Sequence, residues 1–438
     1  MQRLDITADE LVRGLLKLSE TEHVSLLDSC GARHLGSHLL IAGIRPRSAE
    51  SITDDPERAL AAVSENIVRA EASIFSLSYE LGAALNGIEI GNSVEPQVFV
   101  ASFRSLIVHD YNLGETWLAG RTGGEIAQGI RNAAAEFREA EFEGAVNAKS
   151  NFTRADYLNA VEHIQERIRC GDTYQTNLTQ HITVTTEIPP QQVFWRLRRD
   201  HPAPFAAFIT RDDSTVVSAS PERFFRIDTN RDATGRERAL VPKTIRTSPI
   251  KGTRRRGSTA EEDAKLRHDL LNSPKDRAEN TMIVDLLRND LGRVCDYGTV
   301  RVEKLCELEE HPTLFHLVST ISGQLRETAS FSDVIRALFP CGSITGAPKI
   351  STMRIIKELE PTVRGISMGA IGFSIPDGFA GLDPEIDLSV AIRTMVFRDG
   401  TATFNVGGGI TIDSNPQQEY EESLLKAKAL LSALGARI

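Results

Sequence analysis

The sequence has no Cys-x-x-Cys pair, a spacing with which short motifs hold zinc. Its five cysteines are odd in number and widely spaced, which also argues against a disulfide framework: Cys30, Cys170, Cys295, Cys306 and Cys341. None stands in a Gly-x-Cys-x-Gly segment, so the chain lacks the nucleophile elbow of a glutaminase.

Positive charge and long apolar runs are also scarce. The chain carries 50 Lys+Arg against 60 Asp+Glu, a net charge of -10, and an acidic chain offers no general field for nucleic acid. Acidic residues such as Asp9 and Glu10 interrupt the first thirty positions, unlike a secretory signal. No apolar run approaches the roughly 18 residues that cross a membrane. We expect a cytoplasmic protein with neither nucleic acid nor a membrane as a partner.

The composition, 41% hydrophobic and 25% charged over 438 residues, is that of a globular protein of two or three ordinary domains or one large fused one. Residues 121–150 are rich in Gly, Ala and Glu with little periodicity, which predicts a linker or an exposed helix. We place a boundary near Asn151, between an N-terminal region of residues 1–150 and a region of residues 151–438.

Periodicity predicts the main elements. Asp55 and Pro56 begin one helix, and another runs from the N-cap Thr153 to Gly171. Further helices are predicted near 260–272, 276–290, 348–360 and 416–434. Strands are predicted near 73–79, 177–185, 205–210, 215–220, 367–375, 386–397 and 401–411, with a mobile polar insertion at 228–248. This irregular alternation favours an α+β fold built on antiparallel sheet over a doubly wound one.

Two predicted helices carry acidic pairs. Glu419, Glu422 and Lys426 share one face of the C-terminal helix, and Asp276 and Glu279 lie three residues apart near the start of another. Solvated charged faces are the ordinary explanation of such pairs. If the two helices meet, their carboxylates would instead suit a hard cation such as Mg²⁺.

Three further features suit the binding or attack of an anionic substrate. Alternation over 386–393 turns Arg393 away from the apolar face, where it is either a surface residue or a carboxylate ligand. Gly408 and Gly409 lie in a glycine run that interrupts the next strand, which suggests a bulge or a close backbone approach to a ligand. Lys251 stands in a proline-glycine turn, where it is either solvated or a nucleophile.

Taken together and in order, these segments resemble the chorismate-utilising enzymes over about residues 153–434. The matching motifs are Gly171 to Leu178, Ser220 to Phe224, Pro249 to Thr253, Lys275 to Asn280, Arg288 to Val294, Thr345 to Lys349, Gly369 to Phe373, Ala391 to Thr394 and Glu419 to Lys426. The resemblance implies a core of two large antiparallel sheets, a sandwich with the helices outside.

Three activities compete within that family: formation of aminodeoxychorismate, of anthranilate, and of isochorismate or salicylate. Lys251 in Pro-Ile-Lys-Gly-Thr is similar to the aminodeoxychorismate-forming group, because the anthranilate-forming group usually carries alanine there. Tyr-Gln-x-Asn-Leu at 174–178 and Ala-Glu-Asn at 278–280 are also similar to the first group. The resemblance therefore implies a transferase that aminates chorismate for 4-aminobenzoate and folate synthesis.

The resemblance also implies roles for individual residues. Lys251 would be the covalent nucleophile and Glu222 the general acid. The residues implied for Mg²⁺ are Glu279 and Glu422, with Asp276 and Glu419 close by. Those implied for substrate binding are Arg393, Lys426, Gly408, Gly409, His316 and Thr345. Ammonia would come from a separate glutamine amidotransferase subunit.

The N-terminal half of the family carries an aromatic amino-acid pocket around a Leu-Leu-x-Ser motif. Here the motif reads Leu26-Leu27-Asp28-Ser29, and it leaves open whether this chain binds tryptophan. Three positions depart from the family pattern, Ser367, His181 and Cys341, and they leave the expected reaction class intact.

Overall fold

A computed structural model describes residues 2–32, 34–69, 71–89, 91, 93–120, 124–140, 146–228, 243–310, 314–376 and 386–438. Its helices in these ranges are Ala8–Leu18 (α1), Pro56–Val68 (α2), Tyr79–Leu85 (α3), Gly124–Glu136 (α4), Arg154–Arg169 (α5), Pro190–Asp200 (α6), Ala260–Leu271 (α7), Pro274–Gly292 (α8), Phe331–Leu338 (α9), Lys349–Leu359 (α10) and Pro416–Ala433 (α11). None of these described helices is long and apolar enough to span a membrane.

The strands fall into two sheets. In chain order they are Gln2–Leu4 (β1), Val24–Asp28 (β2), Leu39–Ile44 (β3), Ser48–Ile52 (β4), Ala72–Leu77 (β5), Val98–Phe103 (β6), Ser105–Asp110 (β7), Glu115–Gly120 (β8), Val146–Ser150 (β9), Gln175–Thr185 (β10), Phe205–Thr210 (β11), Thr215–Ser220 (β12), Arg223–Asp228 (β13), Thr244–Thr247 (β14), Ile250–Arg255 (β15), Arg301–Glu310 (β16), Leu314–Gln324 (β17), Gly346–Ala347 (β18), Ala370–Ser374 (β19), Ile386–Val390 (β20), Thr394–Arg398 (β21), Thr401–Ile410 (β22) and Ala436–Arg437 (β23).

The larger sheet has the order β1-β8-β7-β3-β2-β11-β12-β21-β22-β10-β9-β23, with β18 beside β10. The smaller has the order β15-β17-β14-β13-β20-β19-β5-β6-β4, with β16 on the other side of β17. The strand pairs are antiparallel except for β9 and β23. Both sheets contain strands from either side of residue 151. The predicted α+β fold with large antiparallel sheets is confirmed.

Apolar side chains fill the space between the two sheets. They also cover the outer face of each sheet, where the helices pack. Phe99 and Ile371 of the smaller sheet pack in one cluster with Ile209 and Val396 of the larger sheet. A second cluster packs helices α2, α8 and α9 against the smaller sheet, and a third packs α1, α4, α6 and α11 against the larger sheet. The helices therefore lie outside a two-sheet sandwich, where α8 and α11 can carry polar side chains to the site.

Most predicted helices and strands are present within a few residues of their expected bounds. Thr153 caps α5 as expected, and Gly171, after its end, adopts a φ of 82°. Residues 121–150 contain the helix α4 and the strand β9. The predicted mobile insertion at 228–248 falls largely on residues 229–242, which lie outside the described residues. Its end was wrongly assigned, because Thr244–Thr247 is the strand β14 and buries Ile245 between β13 and β17.

The prediction of one strand over 386–397 was wrong. It is two strands, β20 and β21, which belong to different sheets and are separated by residues 391–393. Arg393 has a φ of 49° in this connection. The chain crosses from one sheet to the other here, so strand alternation does not set the direction of the Arg393 side chain.

Candidate active site

Glu222 and Lys251 lie on neighbouring segments of the smaller sheet. Glu222 immediately precedes β13, its backbone nitrogen donates to Ser220 Oγ at 3.3 Å, and its carbonyl accepts from Val390 N at 3.0 Å. The residue is only 6% exposed, and its Oε1 is buried without a hydrogen-bond partner among the described residues. Burial raises the pKa of Glu222, and the positive charge of Lys251 is the strongest opposing influence. Burial of this carboxyl favours its protonated form.

Lys251 is partly buried on β15, where its Nζ lies 3.5 Å from the carbonyl oxygen of Ser343. Gly252 follows with a φ of 86°, and a Cβ there would lie 3.0 Å from Cβ and Cγ of Asp276. Glycine thus permits both the left-handed backbone and the close approach of α8 to β15. The Lys-Gly pair places the ammonium beside the acidic end of that helix.

Carboxylates from α8 and α11 meet at one ammonium group. Ser273 and Asn415 cap these helices, and each is followed by proline at the first helical position. The Nζ of Lys275 lies 4.0 Å from Oε1 of Glu279 on its own helix and 3.8 Å from Oε1 of Glu419 on the other. The two acidic helices suggested by the sequence therefore do converge.

The pKa values of the acidic residues reflect this crowding. Burial raises the pKa of Glu279, the negative charges of Asp276 and Glu419 act in the same direction, and Lys251 and Lys275 oppose them. Burial also acts to raise the pKa of Glu422, but attraction to nearby lysines, first of all Lys426, leaves it below its ordinary value. Lys426 Nζ lies 2.9 Å from Oε1 of Glu422.

Asp276 stands somewhat apart from the other three carboxylates. Its Oδ2 accepts from Arg254 Nη2 at 2.8 Å, and its side chain packs against Gly252. Within the described ranges, no group of three or more His, Cys, Asp or Glu residues is arranged to hold a metal ion. The site therefore has a pair of carboxylates, Glu279 and Glu419, at Lys275, with Glu422 and Asp276 close by.

The glycine run of β22 forms the adjoining wall. A Cβ on Gly408 would lie 3.3 Å from both Glu419 Oε2 and Lys426 Nζ, and one on Gly409 would lie 1.9 Å from Gln175 Nε2. Lys426 also donates from Nζ to the carbonyl of Gly407 at 2.9 Å. These short approaches place the backbone of β22 directly against the charged face of α11.

Arg393 has an accessible side chain, yet the protein around it lowers the pKa of its guanidinium through desolvation. No ion pair or side-chain hydrogen bond in the described part of the chain involves this guanidinium. Arg393 is therefore available to an anionic ligand.

His316 and Thr345 make polar contacts within the protein. His316 is buried on β17, with Nδ1 2.9 Å from Thr253 Oγ1 and its ring 5.8 Å from that of His34. Thr345 is buried, and its hydroxyl donates to the carbonyl of Cys341 at 3.0 Å. Thr345 thus supports the turn that contains Ser343.

Lys275 and Ser343 were not singled out from the sequence. Lys275 stands four residues before Glu279, a spacing that predicts an ordinary helix ion pair and hides its contact with Glu419. Ser343 gave no signal, because only the folded turn brings it to Lys251. Ser367 and His181, two departures from the family pattern, both bond to Asn405.

A small cavity of about 70 Å³ lies at the Leu26 to Ser29 motif, between the two sheets. Leu27, Asp28 and Ser29 line it together with Arg223 and Asp387. The Arg223 guanidinium makes two hydrogen bonds to the Asp387 carboxylate, each 2.9 Å long. Pockets for small-molecule ligands usually enclose about 300 Å³ or more, so this cavity is small for an aromatic amino acid.

Comparison with known proteins gives consistent matches. The sequence profile of chorismate binding enzymes matches residues 31–432. Aminodeoxychorismate synthase component 1 of Bacillus subtilis is 35% identical over 352 residues, which cover 77% of this chain and 71% of that protein. Anthranilate synthase component 1 of Aquifex aeolicus is 40% identical over 288 residues, 66% of this chain and 54% of the relative, so the match spans about half the length of that protein.

The fold is similar to that of anthranilate synthase component I from Streptococcus pneumoniae. The TM-score is 0.73 at 26% identity, and the superposition covers 91% of this chain and 93% of the other.

Proposed function

Because the chain belongs to the family of chorismate binding enzymes, and is therefore a chorismate-utilising enzyme, we propose that it is an aminodeoxychorismate synthase component I. It would replace the C4 hydroxyl of chorismate with an amino group and keep the enolpyruvyl ether. The observation that carries the proposal is the buried carboxyl of Glu222, whose raised pKa is opposed by the nearby charge of Lys251. A nucleophile and an acid at one point are what a two-step substitution requires.

The first step joins the substrate to the protein. Lys251, after its ammonium has lost a proton to solvent, attacks C2 of chorismate as a neutral amine, both ring double bonds shift, and the C4–O bond breaks. Glu222 gives its proton to the departing hydroxyl, which leaves as water. Burial of Glu222 supports this role, since it favours the protonated carboxyl.

The second step releases the product. Ammonia attacks C4, both ring double bonds shift back, and the C2–N bond breaks so that Lys251 leaves as a neutral amine. The new C4 ammonium returns a proton to the Glu222 carboxylate. One ammonia has then replaced one hydroxyl, which has left as water, and both side chains have regained their starting states once Lys251 has taken a proton back from solvent.

Arg393, Lys426 and the backbone of Gly408 and Gly409 would bind the enolpyruvyl side of chorismate. Among the described residues no carboxylate pairs with the guanidinium of Arg393, and the β22 backbone lies within reach of Lys426. Thr345 and His316 would line the pocket. An arginine can hold a carboxylate by two parallel hydrogen bonds, which would fix the orientation of the substrate.

The donor set near Lys275 fits Mg²⁺. This ion commonly takes one or two protein carboxylates and completes its coordination with water and substrate oxygens, so a cage of three protein ligands is not required. Glu279 and Glu422 would hold the ion, with Asp276 and Glu419 close by. When bound, it would neutralise the ring carboxylate of chorismate.

Ammonia would be supplied by a separate glutamine amidotransferase subunit, because the sequence has no glutaminase cysteine elbow. Free ammonia at high concentration would replace that partner. The product would serve 4-aminobenzoate and folate synthesis.

The second candidate is anthranilate synthase component I, favoured by the 40% identity to the Aquifex aeolicus protein. That reaction would release pyruvate and yield an aromatic product. The two functions therefore differ in whether the enolpyruvyl group stays on the ring.

The test is product analysis with purified protein, chorismate, MgCl₂ and NH₄Cl. Mass spectrometry and a coupled pyruvate assay should show aminodeoxychorismate without stoichiometric pyruvate. Lys251→Ala and Glu222→Gln should each lose at least about a hundredfold in rate, whereas Lys17→Ala, on the distant helix α1, should keep wild-type rate. Anthranilate with pyruvate would support the second candidate instead, and absence of any chorismate turnover would refute both.

A further inference from the structure

A second cavity, of about 800 Å³, lies on the face of the larger sheet that the helices α1 and α4 cover. Three neighbouring apolar side chains form its floor: Ala42 of β3 pairs with Ile107 of β7, which pairs in turn with Leu118 of β8. Leu18 of α1 and Ile126 of α4, both only partly buried, form its sides. Sites for small molecules usually enclose about 300 to 1,000 Å³ between mainly apolar walls, so this cavity has the size and the lining of a ligand site.

The packing of α1 against α4 explains where the cavity opens. The two helices approach closely at Gly14, where a Cβ would lie 2.4 Å from the carbonyl oxygen of Ile130. Leu18 is one turn beyond Gly14 on α1, and Ile126 is one turn before Ile130 on α4. The turns that contain Leu18 and Ile126 line the cavity, so the space lies beside the close contact of the helices.

The cavity is separate from both sites described above. Successive residues of β3 point to opposite faces of the sheet, and Ile41 lines the small cavity near Asp28 whereas Ala42 lines this one. Four strands of the larger sheet, β2, β11, β12 and β21, lie between β3 and β22. At about 4.8 Å per strand, β3 is about 24 Å from the glycine run beside the candidate active site. A ligand in this cavity therefore touches none of the proposed catalytic residues.

Three exposed arginines lie at the open side of the cavity, Arg45, Arg47 and Arg104. Arg45 pairs with both carboxylate oxygens of Glu22, and Arg47 pairs with Glu71. No ion pair or side-chain hydrogen bond with a described residue involves the guanidinium of Arg104. Among the described residues, one positive charge beside the apolar floor is therefore left without an acidic partner.

We propose that this cavity binds a small molecule with an apolar body and one negatively charged group, which pairs with Arg104. The apolar body covers the partly exposed side chains of Leu18, Ile44 and Ile126, which favours binding through the hydrophobic effect. A guanidinium holds a carboxylate or a sulfonate by parallel hydrogen bonds. The cavity favours one anionic group over two, because Arg45 and Arg47 already pair with carboxylates.

The test uses 1-anilinonaphthalene-8-sulfonate, a fluorescent probe that has an apolar body and one sulfonate and reports on apolar binding sites. Titration of the full chain with this probe, without chorismate or Mg²⁺, should give a saturable rise in emission that corresponds to one bound probe per chain. Decanoate, an aliphatic carboxylate of different shape, should displace the probe.

Two variants test the two halves of the site. Arg104→Ala should weaken binding of the sulfonate probe about fivefold. It should leave unchanged the binding of N-phenyl-1-naphthylamine, which has the same ring system without the sulfonate. Leu18→Trp, which fills the cavity from its side, should weaken the binding of both probes. The matched controls are Arg301→Ala, an exposed arginine of β16, and Val68→Trp, an exposed apolar residue of α2, and both should bind as wild type does.

Three results would overturn the proposal. They are the absence of saturable binding to the wild type, equal affinity of the sulfonate probe for wild type and Arg104→Ala, and unchanged binding in a folded Leu18→Trp. Thermal unfolding of each variant shows whether it is folded. Arg104→Ala removes an exposed side chain and should fold normally, so it decides the test even if Leu18→Trp does not fold.

Discussion

Lys275 and Glu419 form an ion pair of 3.8 Å that joins α8 to α11 across the proposed metal site. The same ammonium lies 4.0 Å from Glu279, so it occupies the position where two carboxylates would otherwise repel each other. A divalent cation drawn to these carboxylates must compete with this internal charge.

We therefore predict that Lys275→Met binds Mg²⁺ about tenfold more tightly than wild type, because a competing cation is removed. Isothermal titration calorimetry with MgCl₂ and without chorismate measures this directly. Lys304→Met, which removes an exposed lysine of β16, is the control and should bind as wild type does. Weaker binding in Lys275→Met would show that the ammonium orders the ligands instead of competing for them.

Glu80 should make the stability of the fold depend on pH. It is buried on α3, its Oε1 accepts from Arg364 N at 2.8 Å, and burial raises its pKa from 4.5 to about 7. The folded state therefore keeps a proton that the unfolded state loses above pH 4.5. The contribution of Glu80 to the free energy of unfolding is fully present below pH 4.5 and declines as the pH rises to about 7. Above about pH 7 it does not change further.

The loss should amount to about 3 kcal/mol in the free energy of unfolding between pH 4.5 and 8, and Glu80→Gln should remove it. Urea unfolding of wild type and Glu80→Gln at a series of pH values measures the difference between their free energies of unfolding. The contributions of the other titrating groups cancel in this difference. Parallel curves for the two proteins would contradict the prediction.

Two glycines of β22, Gly407 and Gly408, should respond differently to alanine. A Cβ on Gly407 would lie 1.9 Å from the backbone oxygen of Leu178, which cannot move without breaking the sheet. Gly407→Ala should therefore destabilise the fold by about 2 kcal/mol or more. A Cβ on Gly408 would meet only side-chain ends at 3.3 Å, so Gly408→Ala should fold normally and bind chorismate more weakly. Thermal unfolding and equilibrium binding separate the two effects, and equal loss of stability in both variants would argue against this assignment.

The small cavity near Asp28 predicts that tryptophan does not bind there with useful affinity. The Arg223–Asp387 pair narrows a space of about 70 Å³, and opening it would break a buried ion pair. Tryptophan at millimolar concentration should leave the thermal unfolding temperature unchanged. A clear rise in that temperature, lost in Ser29→Trp, would mean that the cavity opens for the ligand.

The helices and sheets were predictable where local pattern decides them. Thr153 before an apolar periodic run predicts α5 correctly, and the acidic pairs predict two faces that do meet. Arg393 could not be oriented from alternation, because the strand leaves one sheet for the other at residues 391–393. The contact between Ser343 and Lys251 could not be predicted, since the turn of residues 341–345 is held by Arg364 and Asn177, which are distant in sequence. Such contacts are tertiary, and no local periodicity encodes them.

The pairing of β5 with β19 has a consequence for folding during synthesis of the chain. The strand β5 pairs with β6 on one edge and with β19 on the other. The second edge of β5 therefore stays unpaired until a strand nearly three hundred residues later has been synthesised. At the pace of translation, about 5 to 20 residues per second, that edge stays open for tens of seconds. An unpaired strand edge is a template for incorrect pairing with another chain. The newly synthesised chain is therefore exposed to aggregation during this period.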